Sequence, residues 1–383
     1  MRRLLFLIAD TGGGHRAAAT AVARRLEATR PGEFAITVLD PFAEASPRAV
    51  GAGADLYGPL TRRARWLWGA LWHATNSAAA VAALNRSVLR IVAKGVDRST
   101  AAIRPHAIVS FHPLLNQAMV RAANQATPRP ATITVVTDLV DIHASWAATG
   151  VDAVVVPSPG GLDQCRRAGI PGDRVHQFGL PVDERFTAKP AGPAAKTAAR
   201  HRLGLERDRF TLLVCGGADG SGGIDRRARA VAAAGLDVQL AVITGRNQRA
   251  RRRLQGLRDA AGHPVAVRGF VDDMPEWLRA ADLVATKAGP GTIAETLCSG
   301  VPLLLTSYLP GQERGNVSWV TATGAGRYVP TVRQLVDAVA ELSVPGSEHL
   351  AAMREAVRLL APSDATARIA ALIGNLAEGR GVA

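Results

Sequence analysis

Short, uninterrupted apolar runs recur along this chain, and most show no apolar/polar alternation. Such runs predict parallel strands covered on both faces, because alternation marks a sheet with one wet face. In the first half the runs predict strands at Leu4–Ala9, Ala35–Leu39, Ala107–Phe111, Ile133–Thr137, Val151–Pro157 and Val175–Phe178. Helix-periodic segments lie between them, notably Ala17–Thr29 and Ser77–Ala102. A second series follows at Thr211–Cys215, Val238–Thr244, Val265–Phe270, Leu283–Ala285, Val301–Leu305 and Arg327–Val329. Thr187–Arg200 has no large apolar residue and is rich in Ala, Pro and Lys, so it reads as a linker. Strand–helix alternation on both sides of it predicts an α/β protein of two doubly wound, Rossmann-like domains. The expected division is 1–186, a linker at 187–200, 201–362, and a tail at 363–383 whose helix, Asp364–Leu376, packs back on the first domain.

Composition narrows the class. A chain of 383 residues that is 48% hydrophobic can build two full cores. The formal charge of +14 suits an anionic partner. Nucleic acid is not expected, because the aromatics do not interleave with the arginines as a base-stacking groove requires. Cys165, Cys215 and Cys298 are scattered, with no C-x-x-C pair, which points to a reducing cytoplasm and away from zinc. No run is long enough to span a bilayer, and Leu4–Ala9 is too short for a signal-peptide core.

The most informative stretch is Lys287 to Asn316, KAGPGTIAETLCSGVPLLLTSYLPGQERGN. A strand leads into Gly289-Pro290-Gly291-Thr292, then a helix carrying Glu295, then a strand and a polar loop with Gln312, Glu313 and Asn316. Amides at a helix start bind phosphate, and a carboxylate about one turn in can accept both ribose hydroxyls. Amides in the next loop can reach sugar hydroxyls. The pattern is that of a seat for a nucleotide carrying a sugar. No Asp-x-Asp and no H-E-x-x-H occurs, so no metal and no cofactor is expected; the helix start would itself neutralise a leaving diphosphate.

The first strand ends in Thr11-Gly12-Gly13-Gly14-His15. Gly13 and Gly14 would admit a ligand closely, and His15 at a helix N-terminus is expected neutral, as a general base must be. A plain tight turn with a capping His is the alternative. Asp138, at the carboxyl end of a strand, would orient His15 or bind an acceptor hydroxyl, or else cap the next segment; His143 lies in the same loop. His112, ending another strand, is expected to be structural. Gly216 to Gly223, including Gly217 and Ser221, reads as a flexible phosphate or sugar loop rather than a dinucleotide fingerprint. Backbone groups at Phe270 and Val271 would pair with a base edge, or form an ordinary turn in which Asp273 caps a helix.

Arg62, Arg63 and Arg65 precede Trp66, Trp68 and Trp72. Indoles beside a basic cluster suit an anionic lipid interface, the alternative being a buried helix. The run Arg246–Arg258 is most simply a solvated helix face.

TGGGHRAAATAV, TDLVDIHASW, GFVDDMPEW and GPGTIAETLCSGVPLLLTSYLPGQERGN together resemble the monogalactosyldiacylglycerol synthases and processive diacylglycerol glucosyltransferases. A more distant resemblance is to the UDP-N-acetylglucosamine transferase of peptidoglycan precursor synthesis. It implies the GT-B architecture, two Rossmann-like domains facing across a cleft. It also implies inversion at an α-linked UDP-sugar, a lipid acceptor, no essential metal, and peripheral attachment at the inner face of the cell membrane. By the same resemblance His15 is the base or lies beside it, Glu295 holds ribose, and Gly291 and Thr292 meet phosphate. Gln312, Glu313 and Asn316 would face the sugar and reaction centre. Asp219 departs from the Glu that the family often carries after its second-domain glycines. The resemblance leaves open a UDP-sugar epimerase, a transferase to a soluble acceptor, and a nucleotide-sugar sensor without activity. Oligomeric state is not legible.

Overall fold

The structure is a computed structural model that describes residues 1–10, 13–44, 64–87, 89–187, 192–360 and 364–380. The chain divides into two compact units. The first takes in Met1–Glu184, Leu309–Gln312 and Asp364–Ala383; the second takes in Arg185–Tyr308 and Glu313–Ser363.

The first unit is built on six parallel strands: β1 (Arg2–Leu7), β2 (Phe34–Leu39), β3 (Ala107–Ser110), β4 (Ala131–Val135), β5 (Ala153–Val156) and β6 (Val175–Gln177). Their order is β2-β1-β3-β4-β5-β6. Leu4 sits between Ile36 on one side and Ala107 on the other. Because both faces are covered, Leu4, Leu5, Phe6 and Leu7 are all fully buried despite pointing alternately up and down. One face packs on Gly14–Thr29 and on the last helix, Ala365–Ala377, through Val22, Leu26, Ile369 and Ile373. The other packs on Leu89–Ile103 and Asn116–Gln125 through Val92, Val96 and Met119.

The second unit repeats the plan with β7 (Thr211–Cys215), β8 (Gln239–Ile243), β9 (Ala266–Arg268), β10 (Leu283–Lys287), β11 (Leu303–Ser307) and β12 (Gly326–Tyr328). Their order is β12-β11-β10-β7-β8-β9, again all parallel. Ligands of open parallel sheets bind beyond the carboxyl ends of the strands, where the strand order reverses. That point lies between β1 and β3 in the first unit and between β7 and β10 in the second.

All twelve predicted strands are present among the described residues, shifted by a residue or two. Two expectations need correction. The segment read as a linker is helical from Gly192 to Leu203 and belongs to the second unit, where Arg200 and Lys196 tie it to Asp282. Its alanines favour helix, and its cations rather than apolar side chains anchor it. The single helix expected over Ser77–Ala102 is two, Ala78–Arg86 and Leu89–Ile103. The first ends where the Ser87 hydroxyl turns back to the Ala83 carbonyl at 2.8 Å.

Candidate functional site

In the first unit the loops after β1, β3 and β4 carry the polar side chains. Gly13 caps the helix Gly14–Thr29 with φ 86°, a left-handed angle that glycine adopts at little strain. His15 follows one residue into that helix. Thr137, just past β4, places Oγ1 2.8 Å from His15 Nδ1. With the hydroxyl accepting from Nδ1–H, Nε2 keeps its lone pair. The His112 ring meets His15 edge-on with centroids 4.7 Å apart, and Trp146 lies 6.4 Å away. Burial pushes the His15 pKa down to about 4, against the opposing pull of the Phe111 backbone and of Asp10. The neutral state therefore stands, but desolvation rather than the helix dipole is its main cause. His112 is also held well below the usual range, first by burial and then by His15.

Asp138 follows Thr137 in the same loop. Its buried carboxylate accepts from Trp146 Nε1 at 2.7 Å and from Gln312 Nε2 at 2.9 Å. Gln312 clusters with the first unit. His143 is held at both ring nitrogens: Nδ1 accepts from the Ser145 amide, and Nε2 lies 3.2 Å from Thr75 Oγ1. That bond anchors the tryptophan helix, Arg65–Thr75.

The helix faces two ways. Trp66, Leu67, Ala70, Leu71 and Ala74 are exposed on one arc, with Trp66 at 75%. Trp68, Gly69 and Trp72 face inward. Trp72 packs edge-on against His143 at 5.5 Å, and a Cβ on Gly311 would come within 3.0 Å of its ring. Of the three indoles Trp66 is exposed, whereas Trp68 and Trp72 are half-buried. Arg62 and Arg63 lie outside the described residues, and Arg65 begins the helix.

In the second unit the loops after β7 and β10 flank the switch point. The helix Pro290–Cys298 begins with proline, which lacks an N–H, so Gly291 and Thr292 carry its first amides, and these have no acceptor within the helix. No side chain caps it, and a Cβ on Gly291 would meet nothing within 4 Å. Gly217 has φ +67°; a Cβ there would lie 3.9 Å from Thr292 Oγ1. The two glycine loops thus approach each other. The first loop is hydrogen-bonded along its length: Asn247 Nδ2 donates to the Gly220 carbonyl at 2.8 Å and the Ser221 amide to that of Gly216 at 3.0 Å. The buried Arg227 bonds the Gly222, Thr306 and Pro330 carbonyls.

Glu295 is half-buried in that helix. Phe270 and Val271 follow β9; Phe270 is 54% exposed, with the Arg246 guanidinium 5.1 Å from its ring centre. Asp273 makes no cap and instead accepts from Trp277 Nε1 at 3.1 Å. Glu313, only 2% exposed, pairs with Lys287. Asn316 Nδ2 donates to the Ala288 carbonyl, below Gly289, at 2.9 Å. Sequence reasoning assigned no chemistry to Thr137, His112 or Lys287, whose roles come from neighbours distant in sequence. Burial lifts the thiols of Cys165 and Cys215 to about 11 and that of Cys298 to about 12, which leaves them poor nucleophiles. Among the described residues no three His, Cys, Asp or Glu side chains could hold a metal ion, and no helix is long and apolar enough to cross a membrane.

The family description "Monogalactosyldiacylglycerol (MGDG) synthase" matches residues 15–182, and "Glycosyltransferase family 28 C-terminal domain" matches residues 211–369. Monogalactosyldiacylglycerol synthase 1, chloroplastic, of Arabidopsis thaliana is 30% identical over 96% of this chain and 70% of its own length. A probable monogalactosyldiacylglycerol synthase of Nicotiana tabacum is 33% identical over 96% of this chain and 69% of its own. Among solved structures, MurG of Acinetobacter baumannii superposes with a TM-score of 0.62 at 16% identity, over 98% of this chain and 100% of that one, a likeness of GT-B fold. The chain belongs to the monogalactosyldiacylglycerol synthase family and is a UDP-sugar-dependent hexosyltransferase of GT-B fold.

Proposed function

We propose that this protein transfers galactose from UDP-galactose to the free hydroxyl of diacylglycerol, with inversion at the anomeric carbon. The observation that carries the reading is the uncapped helix start at Gly291 and Thr292, set beside Gly217, in a chain of this kinship. In the reaction His15 Nε2 takes the acceptor proton as the hydroxyl oxygen attacks the sugar carbon. The bond from that carbon to the diphosphate oxygen breaks, and UDP leaves toward the amides of Gly291 and Thr292. Glu295 accepts the ribose hydroxyls, and Phe270 lies against the base. Thr137 and His112 fix the His15 ring. Fixed amides serve the developing charge without a metal ion.

A panel of UDP-galactose, UDP-glucose and UDP-N-acetylglucosamine, offered with diacylglycerol in vesicles and read by mass spectrometry, tests this. Monogalactosyldiacylglycerol is the expected product. A product with another sugar, or sugar on no lipid, removes the assignment.

The lipid acceptor demands access to a bilayer, and the outward arc of Arg65–Thr75 supports peripheral attachment at the inner face of the cell membrane. Trp66, Leu67 and Leu71 expose apolar area that would enter the interface, and the charge of +14 would draw the protein to anionic lipid. Trp66→Ala with Leu71→Ala is expected to lower binding to anionic vesicles about tenfold or more, at roughly 25 cal/mol per Å² of apolar area withdrawn from water. Flotation measures it, with UDP affinity as the control. Undiminished flotation by the double variant would place the membrane contact elsewhere.

A further inference from the structure

We infer that Lys287 is the cation that meets the donor's diphosphate, and that Glu313 is its counter-ion, holding it in place and moderating its pull. The inference rests on the UDP-sugar reading of the second unit and gives that seat a residue the amides alone do not supply.

Lys287 ends β10, directly before the bend that opens Pro290–Cys298. Its stem runs beneath both glycine loops. A Cβ on Gly217 would lie 3.8 Å from Lys287 Cε, and one on Gly222 would lie 3.8 Å from Lys287 Cβ. A Cβ on Gly289 would come within 2.9 Å of Lys287 Nζ. These contacts place the Lys287 stem and ammonium beside the two loops that converge on Thr292, where Gly217 and Gly222 are themselves required by their left-handed φ of +67° and +84°. The ammonium has three N–H donors, and Glu313 takes one direction only. Beside it, Asn316 is buried, and its Oδ1 has no hydrogen-bond partner while Nδ2 serves Ala288. The bend therefore holds an unused acceptor for a ligand hydroxyl as well as a cation for its phosphates.

Lys196 offers the contrast. It pairs with Asp282, which also takes Arg200 and Arg354, and it ties the helix Gly192–Leu203 to the sheet. That cluster is structural cross-bracing, away from the glycine loops. Because Glu313 is buried, releasing it entirely would leave an uncompensated charge. The ammonium accordingly keeps Glu313 and turns its remaining N–H groups to the phosphate oxygens.

Calorimetric titration of UDP and of uridine into the full chain tests this, using wild type, Lys287→Met, Lys287→Arg and Glu313→Gln. Loss of a charge-assisted contact is expected to weaken UDP about tenfold in Lys287→Met and to leave uridine within about twofold. Lys287→Arg should recover most of the UDP affinity. Glu313→Gln leaves the cation uncompensated, so UDP should bind several-fold tighter, with uridine unchanged. A merely structural pair predicts the opposite sign: Glu313→Gln would weaken UDP as Lys287→Met does, or uridine would fall with UDP, and either result overturns the inference. If Lys287→Met does not fold, the Arg and Gln variants carry the same decision. Wild type that binds no UDP would instead overturn the parent reading of the second unit.

Discussion

His15→Ala is expected to lower turnover by about 10²–10⁴-fold, the usual contribution of a positioned general base, with UDP affinity unchanged. The two effects separate because the imidazole belongs to the first unit, whereas the amides proposed to hold UDP belong to the second. The pH profile gives an independent check. Burial holds His15 down at about 4. The ring is then neutral above that pH, so kcat/KM should rise with pH through about 4 and be level through neutrality. An unperturbed histidine would place that limb near 6.5. The same shift acts on stability. The folded pKa lies below the unfolded one, so this contribution is complete above about 6.5 and is lost as pH falls toward about 4. Turnover near wild type in His15→Ala, or an acid limb near 6.5 that vanishes in the variant, would remove the buried neutral imidazole from the mechanism.

Glu295→Ala is expected to weaken UDP by about 10–100-fold, which is the loss of a charge-assisted hydrogen bond worth roughly 1.5–3 kcal/mol. Glu295 sits in Pro290–Cys298, the helix whose first amides are proposed to hold phosphate. Its effect should differ in kind from that of Lys287. Ribose is common to uridine and UDP, so both ligands should weaken together in Glu295→Ala, whereas Lys287→Met should spare uridine. The half-buried position of Glu295 makes little change in melting temperature the expected accompaniment. Calorimetry with the two ligands decides it, and unchanged affinity for both would strike Glu295 from the ribose assignment.

The strands were legible because a parallel strand buried on both faces leaves a continuous apolar run. Leu4 to Leu7 and Leu283 to Ala285 need no partner information to be recognised. Their exact ends were not legible, since hydrogen-bond pairing decides them: Thr286 and Lys287 extend β10 past its apolar run through pairing with β11. Gly291, Thr292 and Glu295 could be placed because a helix start and its first turns are local in sequence. Thr137 against His15, separated by 122 positions, is not a local fact. Nor is the choice of Asp138 for Trp146 and Gln312. The three indoles of Arg65–Thr75 looked alike as composition and were sorted only by helical phase. Residues 68 and 72 share one side, and 66 falls on the other.

The return of Ala365–Ala377 to the first unit has a consequence for synthesis. Ile369, Leu372 and Ile373 complete the same apolar cluster as Val22, Leu26 and Phe34. Arg30 meets Glu378, which closes the seam. A nascent chain that has emerged only as far as Glu184 therefore exposes a sticky face that nothing yet shields. The first sheet to leave the ribosome is among the last to be finished, and it must be guarded from aggregation while the whole second unit is translated.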